Sequence, residues 1–522
     1  MTAEARGYYT ADQVRAAEAD LFTRVPAGMP MRRAAFGLAG VVAAELRERT
    51  GAVAGRSVGL LVGSGDNGGD ALWAGVFLRR RGVAVRAVLL DPGRAHSAGL
   101  AAFRAAGGRV ARASAADGPV GSGESAARAG GGDPFAGADL VVDGIVGISG
   151  RGPLRPAAAE IVAGIGVPIV AVDLPSGVDP DTGAVEGPCV RAAVTVTFGA
   201  YKPVHVLAAP YCGRTVLVPI GLELPPPALL SLSPAAIGAG WPVPGPSDDK
   251  YTQGVVGVCA GSRRYPGAGV LCTGAAVAAT SGMVRYVGDD TEVLEKFPEV
   301  VATRTVSETG RVQAWVVGPG GGTDGAARDR LAEILATDLP VVVDADALTL
   351  VAAEPGLVRG RRAPTLLTPH AGEFARLVEG SRRSAGAAGP GDDAGDGLLL
   401  PDRDRVAAAR ALAEEWQVTV LLKGRATVIA APGEPTIVNE AGASWASTAG
   451  AGDVLSGVIG ALLAAGLTPS RAAASAARAH ALAANLAANA GAPVGAPISA
   501  SPLAGHLRAA VRVLRELGGA GS

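Results

Sequence analysis

The chain has 522 residues, 48% of them hydrophobic, and a formal net charge of −1, which suits two to four domains at roughly 100–200 residues each. Without a basic excess it lacks the field that holds nucleic acid by counterion release or an anionic membrane surface, so neither is an expected partner. Four scattered cysteines, Cys189, Cys212, Cys259 and Cys272, form no CxxC pair and fit a reduced, cytoplasmic chain better than a disulfide scaffold or a zinc site.

The N-terminus carries no uninterrupted apolar run, which argues against a secretory signal. Thr10-Ala11-Asp12-Gln13 reads instead as a capping box that opens an amphipathic helix. A strand at Ser57–Val62 runs into Gly63-Ser64-Gly65-Asp66-Asn67-Gly68-Gly69-Asp70, with a helix expected from about Ala71. Gly63, Gly65 and Gly68 match G-x-G-x-x-G, a weak dinucleotide signal, and Asp91 after the next strand, Ala84–Leu90, would supply its ribose-binding acid. Charge opposes that reading, because Asp66 and Asp70 would repel a pyrophosphate. Ala115–Gly132 has almost no large apolar residue and reads as a solvated insertion.

Strands follow at Leu140–Val142, Pro168–Val172 and Ala193–Phe198, and two of them end in acids, Asp143 and Asp173. Parallel strands bring their C-terminal ends to one edge, so Asp66, Asp70, Asp143 and Asp173 can approach one pocket. Such a cluster needs a cation, a proton or a donor-rich ligand. Singly, each acid also reads as a helix cap or an Asx turn. GSGDNGGDAL, VVDGIVGISGRGPLRP and VDLPSGVDPDTG, in this order and spacing, resemble the NAD(P)H-hydrate epimerase family over most of residues 10–220. The resemblance implies a Rossmann-like three-layer fold and a potassium ion held by Asn67, Asp143 and Ser176. It implies a hydrate-binding surface made of Asp66, Asn67, Gly68, Gly69 and Asp70, of Gly147, Ile148, Ser149, Gly150, Arg151, Gly152 and Pro153, and of Asp173. Asp173 is then the acid/base at C6 of the hydrated nicotinamide ring. Three positions depart from the family pattern: Asp66 stands for Asn, Ala71 for Gly and Arg151 for Lys. Arginine is a poor proton donor.

A break falls at Gly221–Asp249, rich in proline and poor in charge, which reads as a linker and a short lead-in segment. Strand–helix alternation then resumes at Gly254–Cys259, Ala314–Val317, Pro340–Val343, Thr365–Leu367 and Val418–Leu422. The chain is expected to be α/β throughout, with one domain over 1–220, a linker over 221–249 and a second domain over 250–520. No internal repeat relates the halves. Ser381–Gly397 reads as a second solvated insertion, and the apolar run Val454–Leu467 is too short to span a bilayer and reads as a buried helix.

The second half carries the strongest local signal, Ala449-Gly450-Ala451-Gly452 leading through Asp453 into an apolar helix. Free N–H groups at such a helix start can hold a phosphoryl group, and Asp453 there can take the proton of a hydroxyl that attacks phosphorus. Lys423 and Thr427 suit phosphate contacts, and Asp344 and Asp346 at a strand end can serve Mg²⁺ through water. Gly318-Pro319-Gly320-Gly321-Gly322 and Gly267-Ala268-Gly269 permit close approach of a ligand. GPGGG, VDADAL, TPHAGE, KGRAT and NEAGASWASTAGAGDVLSG in this order resemble the NAD(P)H-hydrate dehydratase family over about 250–515. That resemblance implies a ribokinase-like fold with ADP as phosphoryl donor and Mg²⁺ as cofactor. It implies hydrate contacts by Ala268, Gly320, His370 and Asp453, and nucleotide contacts by Lys423, Gly424, Arg425, Ala426, Thr427 and Gly452. The expected function is repair of hydrated NADH and NADPH, by epimerisation of the R and S hydrates and then ADP-dependent dehydration of the S form. The competing reading is a ribokinase-like kinase of a vitamin alcohol with a non-catalytic N-terminal binding module. A homo-oligomer is left open.

Overall fold

The computed structural model describes residues 4–112, 134–280, 282–384 and 400–519, and these form two compact units, Gly7–Ala228 and Leu229 onward, the latter joined by the chain's first residues through Arg6. Ala115–Gly132 lies outside the described residues. Eighteen strands, β1 to β18, are described.

In chain order, β1 is Ala5–Tyr8, β2 Ser57–Val62, β3 Ala84–Leu89, β4 Arg109–Arg112, β5 Leu140–Gly144, β6 Ile169–Val172, β7 Val194–Phe198 and β8 Arg214–Val218. The first unit is a seven-stranded sheet of order β4-β3-β2-β5-β6-β7-β8, every pair parallel. β2, β5, β6 and β7 are almost wholly buried, as expected of parallel strands covered on both faces, which read as continuous apolar runs. One face packs Leu38, Val42 and Leu72 from the helices Met29–Thr50 and Asp66–Arg80, and the other packs Phe135 and Leu154. The capping box at Thr10 is formed: Gln13 N donates to Thr10 Oγ1 and Thr10 N to Gln13 Oε1. The helix after β2 begins at Asp66 rather than near Ala71, so Asp66–Asp70 are its first turn and not a loop. Glycine permits this tight entry. A Cβ at Gly63 would lie 1.9 Å from the Ile145 carbonyl oxygen, and one at Gly68 2.4 Å from that of Gly63.

The second unit continues with β9 Leu229–Leu232, β10 Val255–Cys259, β11 Met283–Val287, β12 Val301–Thr303, β13 Ala314–Val317, β14 Val341–Val343, β15 Thr365–Leu367, β16 Thr419–Leu422, β17 Ala426–Ala430 and β18 Thr436–Glu440. Its sheet runs β1-β9-β18-β17-β16-β15-β14-β13-β10-β11-β12. The run from β12 to β16 is parallel and the β16–β17–β18 ladder antiparallel. The helix Ala451–Ala464 is buried along nearly its whole length against this sheet and the helix Pro266–Ala279, as its apolar run implies. No helix among the described residues is long and apolar enough to cross a membrane.

The proline-rich stretch holds β9 and a short helix, Pro234–Ala239. Its prolines sit where they cost no hydrogen bond: Pro225–Pro227 precede the strand, and Pro234 takes the first helical position behind the cap Ser233, where the missing N–H is not needed. Ser381–Ser384 end the helix Ala371–Ser384 instead of opening an insertion. Ser381 is buried there and donates to Glu415 Oε1 at 2.7 Å, whereas 385–399 lie outside the described residues.

Candidate active sites

In the first unit, the C-terminal ends of β2, β5, β6 and β7 gather the candidate residues along one sheet edge. Asp143, at the end of β5, is buried and receives Ser176 Oγ at 2.8 Å, Ser176 N at 2.9 Å and Ile145 N at 3.2 Å. Burial pushes its carboxyl up to about 6, against these hydrogen bonds, which pull it down. Asn67 donates through Nδ2 to the carbonyls of Val172 at 2.6 Å and Val146 at 3.1 Å, which turns its oxygen toward Gly147. A Cβ on Gly147 would lie 2.4 Å from Asn67 Oδ1. Asn67, Asp143 and Ser176 are thereby drawn around the Val146–Gly147 turn.

Asp173 stands just past β6 with φ +68°, a backbone conformation that costs a non-glycine residue of order 1–3 kcal/mol and persists only where its surroundings fix it. Its surroundings do so. Lys202, 1% exposed, donates from Nζ to Asp173 Oδ1 at 2.5 Å, to Thr197 Oγ1 at 3.0 Å and to the Phe198 carbonyl at 3.2 Å, which uses all three ammonium protons. Thr197 Oγ1 also lies 3.0 Å from Asp173 Oδ1. His205 accepts from Lys202 N at its Nδ1, 2.9 Å, and therefore donates from Nε2 to the Asp173 carbonyl at 2.9 Å. Burial and the Lys202 charge hold that imidazole near 4 and thus neutral.

The four acids divide. Asp70 is driven well above the ordinary carboxylate range by burial and then by Asp173, Asp66 and Glu18, and its Oδ1 has no hydrogen-bond partner among the described residues. Glu18, on the helix Ala11–Arg24, rises to about 6 through burial and Asp173 against the pull of Lys202. Asp66, Asp70 and Asp173 thus share one field with Glu18, while Asp143 is engaged with Ser176. The loop Gly147–Pro153 borders the edge, but Arg151 is half-exposed and occupied elsewhere. It donates to the carbonyls of Ile148 and Gly150 and pairs with Asp179 at 3.7 Å and Asp181 at 3.6 Å. Lys202 stands on this edge against Asp173, and sequence reasoning overlooked it along with Glu18, Thr197 and His205. The available signal was position: Lys202 follows β7 by four residues, on the edge where the acids end their strands.

In the second unit, Gly450 takes φ +82° and starts the helix Ala451–Ala464, with Asp453 in its first turn. Lys423, at the end of β16, pairs with Asp344 Oδ1 at 2.8 Å and Glu373 Oε2 at 3.5 Å, and Ser456 Oγ donates to Asp344 Oδ2 at 2.8 Å. A Cβ on Gly452 would lie 3.5 Å from Lys423 Nζ, so the ammonium sits at the helix start. Burial first, then Asp344, raise the Asp453 carboxyl to about 7, while Lys423 pulls it down.

Thr427 donates to the Gly424 carbonyl at 2.9 Å, and Arg405 holds the same turn through the Lys423 carbonyl at 3.0 Å. Ala426 and Thr427 pair across the ladder with Glu440 and Asn439, and Arg425 reaches Glu440 at 2.5 Å. His370 caps the helix Ala371–Ser384. Its Nδ1 accepts from Gly372 N at 3.0 Å, its backbone N–H donates to Glu373 Oε2 at 2.7 Å, and Nε2 of the half-exposed ring lies 3.6 Å from the same Glu373 oxygen. Gly320 adopts φ +59°, and a Cβ there would lie 2.7 Å from Ala268 Cβ, so these two candidates adjoin. Asp346 takes a different part from Asp344: its Oδ2 accepts from Gly322 N at 2.9 Å and holds the glycine turn.

Comparison with known proteins agrees with this division. A family profile described as NAD(P)H-hydrate dehydratase matches residues 256–501, and one described as YjeF-related protein N-terminus matches 28–204. A Mycobacterium tuberculosis protein named bifunctional NAD(P)H-hydrate repair enzyme Nnr is 58% identical over 513 residues, covering 98% of this chain and 100% of its own. A Corynebacterium glutamicum protein of the same name is 38% identical and covers 87% of each chain. Among solved structures, the ADP/ATP-dependent NAD(P)H-hydrate dehydratase of Bacillus subtilis, co-crystallised with ATP and Mg²⁺, aligns over 54% of this chain and 97% of its own at 23% identity and TM-score 0.46.

Proposed function

The chain belongs to the bifunctional NAD(P)H-hydrate repair enzymes, joining epimerase and dehydratase activities, and from that premise we propose how its residues divide the work. The first unit interconverts the R and S hydrates with Asp173 as acid/base at C6. Asp173 takes the hydroxyl proton as the C6–N1 bond opens and returns it when the ring closes from the other face. Lys202, Thr197 and His205 hold Asp173 in its strained position, and the first turn Asp66–Asp70 with the loop Gly147–Pro153 lines the hydrate. The side-chain oxygens of Asn67, Asp143 and Ser176 fit a monovalent cation, since Asp143 is a buried acid with no basic partner among the described residues. Potassium there would supply countercharge that fixes the Val146–Gly147 turn.

The second unit uses ADP to phosphorylate the 6-hydroxyl of the S hydrate. Asp453 accepts the hydroxyl proton as the oxygen attacks the terminal phosphorus and AMP departs. Phosphate then leaves C6 with the electron pair of the C–O bond, and loss of a C5 proton restores the double bond of NAD(P)H. The helix start at Gly452 and the ammonium of Lys423 receive the transferred phosphoryl group, while Ala268, Gly320 and His370 border the ring. Asp344 is committed to Lys423 and Ser456, so Asp346 would be the acid to hold Mg²⁺, which would balance the phosphate charge.

The observation that carries this reading is the placement of Asp453 and Lys423 together at the glycine turn. The kinase alternative is disfavoured by full-length similarity to repair enzymes, first unit included. Purified protein given S-hydrated NADH and ADP should return NADH, AMP and phosphate in equal amounts; ADP consumption with a stable phosphorylated product would instead identify a kinase.

Two further results are expected. Because Asp453 acts as a base only when ionised, and its carboxyl lies at about 7, kcat/KM for dehydration should rise with pH through the neutral range and level off above it. A rate flat from pH 5 to 9 would remove Asp453 from that role. In the first unit, Asp143→Ala should abolish epimer exchange and its potassium dependence while dehydration of the S hydrate survives. Exchange that ignores both the ion and the substitution, followed by chromatography with and without a crown ether, would misplace the cation site.

A further inference from the structure

The ring opening assigned to Asp173 leaves one proton to be supplied. When the C6–N1 bond breaks, its electron pair goes to N1, which becomes a neutral amine only by gaining a proton. Asp173 takes the hydroxyl proton, so a second group must serve N1. Lys202 has its three protons engaged, His205 uses both ring nitrogens, and Arg151 lies with Asp179 and Asp181. The helix Ala11–Arg24 stands in none of the motifs and outside the family match over 28–204, yet it is tied to the elements that hold Asp173. Tyr9 N donates to the Tyr201 carbonyl at 2.8 Å, and Ala11 N to Asp181 Oδ1 at 2.7 Å. Val14 packs with Ala200 and Ile148. The Ala200 carbonyl lies 3.1 Å from Thr197 Oγ1, the hydroxyl that braces Asp173, and Ile148 belongs to the loop Gly147–Pro153. Val14, Glu18 and Leu21 are spaced by four and three and share one helix face. Val14 and Leu21 are buried, so Glu18 points inward one turn beyond the Ala200 contact. It is half-buried and makes no hydrogen bond or ion pair with any described residue. The charges that face it are Asp173, Lys202, Asp66 and Asp70 from the sheet edge and Arg15 from its own helix.

We propose that Glu18 is a second catalytic residue of epimer exchange, the acid that gives N1 its proton and takes it back. This rests on the reading in which Asp173 takes the hydroxyl proton. On opening, the Glu18 carboxyl proton goes to N1 as N1 receives the electron pair of the C6–N1 bond, the hydroxyl proton goes to Asp173, and C6–O becomes a carbonyl. Rotation about C5–C6 turns the other carbonyl face to N1. On closing, N1 attacks C6, its proton returns to Glu18, and the Asp173 proton returns to the oxygen, so exchange consumes nothing. A group that gives and retakes a proton works best near the operating pH. Burial and then Asp173 hold the Glu18 carboxyl at about 6 against the pull of Lys202. Asp70 is 6% exposed and driven well above the ordinary range, so it releases its proton less readily.

The test is Glu18→Gln in the full chain, with exchange of the R and S hydrates of NADH followed by chromatography and dehydration of the S hydrate as internal control. Exchange should fall roughly 10²–10⁴-fold, the range for a lost general acid, while the melting temperature and dehydration stay as in the parent. In the parent, kcat/KM for exchange should fall as pH rises through about 6, because protonated Glu18 is lost there. The residual exchange of Glu18→Gln should lack that fall. Glu18→Asp keeps an acid on a shorter arm and should recover part of the rate together with the fall. Near-native exchange in Glu18→Gln would overturn the assignment. So would slowed exchange that keeps the parent's pH profile, which would make Glu18 a structural residue and Asp70 the donor. Exchange that survives Asp173→Asn but not Glu18→Gln would overturn the Asp173 reading and leave Glu18 in its role.

Discussion

Asp453→Asn is expected to slow ADP-dependent dehydration by roughly 10²–10⁴-fold, the usual range for a lost general base, and to leave epimer exchange intact. The substitution keeps the shape of the side chain in the first turn of Ala451–Ala464 and removes only the proton acceptor. It should not destabilise the fold. The Asp453 carboxyl rises from an ordinary 3.8 to about 7 in the folded chain, so the folded state holds a proton that the unfolded state has already released between those values. Stability contributed at this site therefore falls as pH rises through that window, and its ionised form is disfavoured above it. Asparagine is neutral at every pH and escapes that penalty. The variant should melt at the same temperature as the parent or higher at pH 8, while being nearly inactive. A variant that melts well below the parent would make the rate loss a folding effect, and near-native dehydration would move the base elsewhere.

What was legible in the sequence follows from which interactions are local. β2, β13 and β15 were readable to the residue because parallel strands covered on both faces are short, nearly continuous apolar runs, here mostly Val and Leu. The glycine turns and the acids ending β5 and β6 were readable because a strand end is a fixed point on one edge of the sheet. The start of the helix at Asp66 was not. Asn67, Gly68 and Gly69 are poor helix formers, and what makes them helical is the close packing of Gly68 on Gly63 and of Gly63 on the Ile145 carbonyl, 82 residues further along the chain. The proline-rich stretch hid β9 and the helix at Pro234 for a related reason, since composition cannot show which prolines fall at positions that need no N–H. Arg151 drew attention because it stands in a motif, yet its partners are its own loop and Asp179 and Asp181. Lys202 stands in no motif, and its meaning comes from an ion pair with a residue 29 positions earlier.

That ion pair supports the second large effect. Lys202→Met should lower epimer exchange by at least about 10²-fold, as expected when a positioned acid/base loses its geometry, while dehydration of the S hydrate by the same chain serves as the internal control. Removing one partner of a buried pair is also costly to folding, by about 3–5 kcal/mol, because Asp173 would keep a buried charge with only Thr197 and the Phe198 N–H to meet it. Loss of exchange in the single variant would therefore mix lost geometry with lost stability. The double variant Lys202→Met with Asp173→Asn separates them. With the acid neutralised as well, no uncompensated charge remains, and pairs replaced on both sides are often near neutral in stability. The double variant should recover much of the melting temperature of the first unit and none of the exchange. Recovery of exchange together with stability would show that neither Asp173 nor Lys202 takes part in the chemistry and that the pair only braces the turn after β6. Unimpaired exchange in Lys202→Met alone would show that Thr197, His205 and the backbone suffice to hold Asp173 in place.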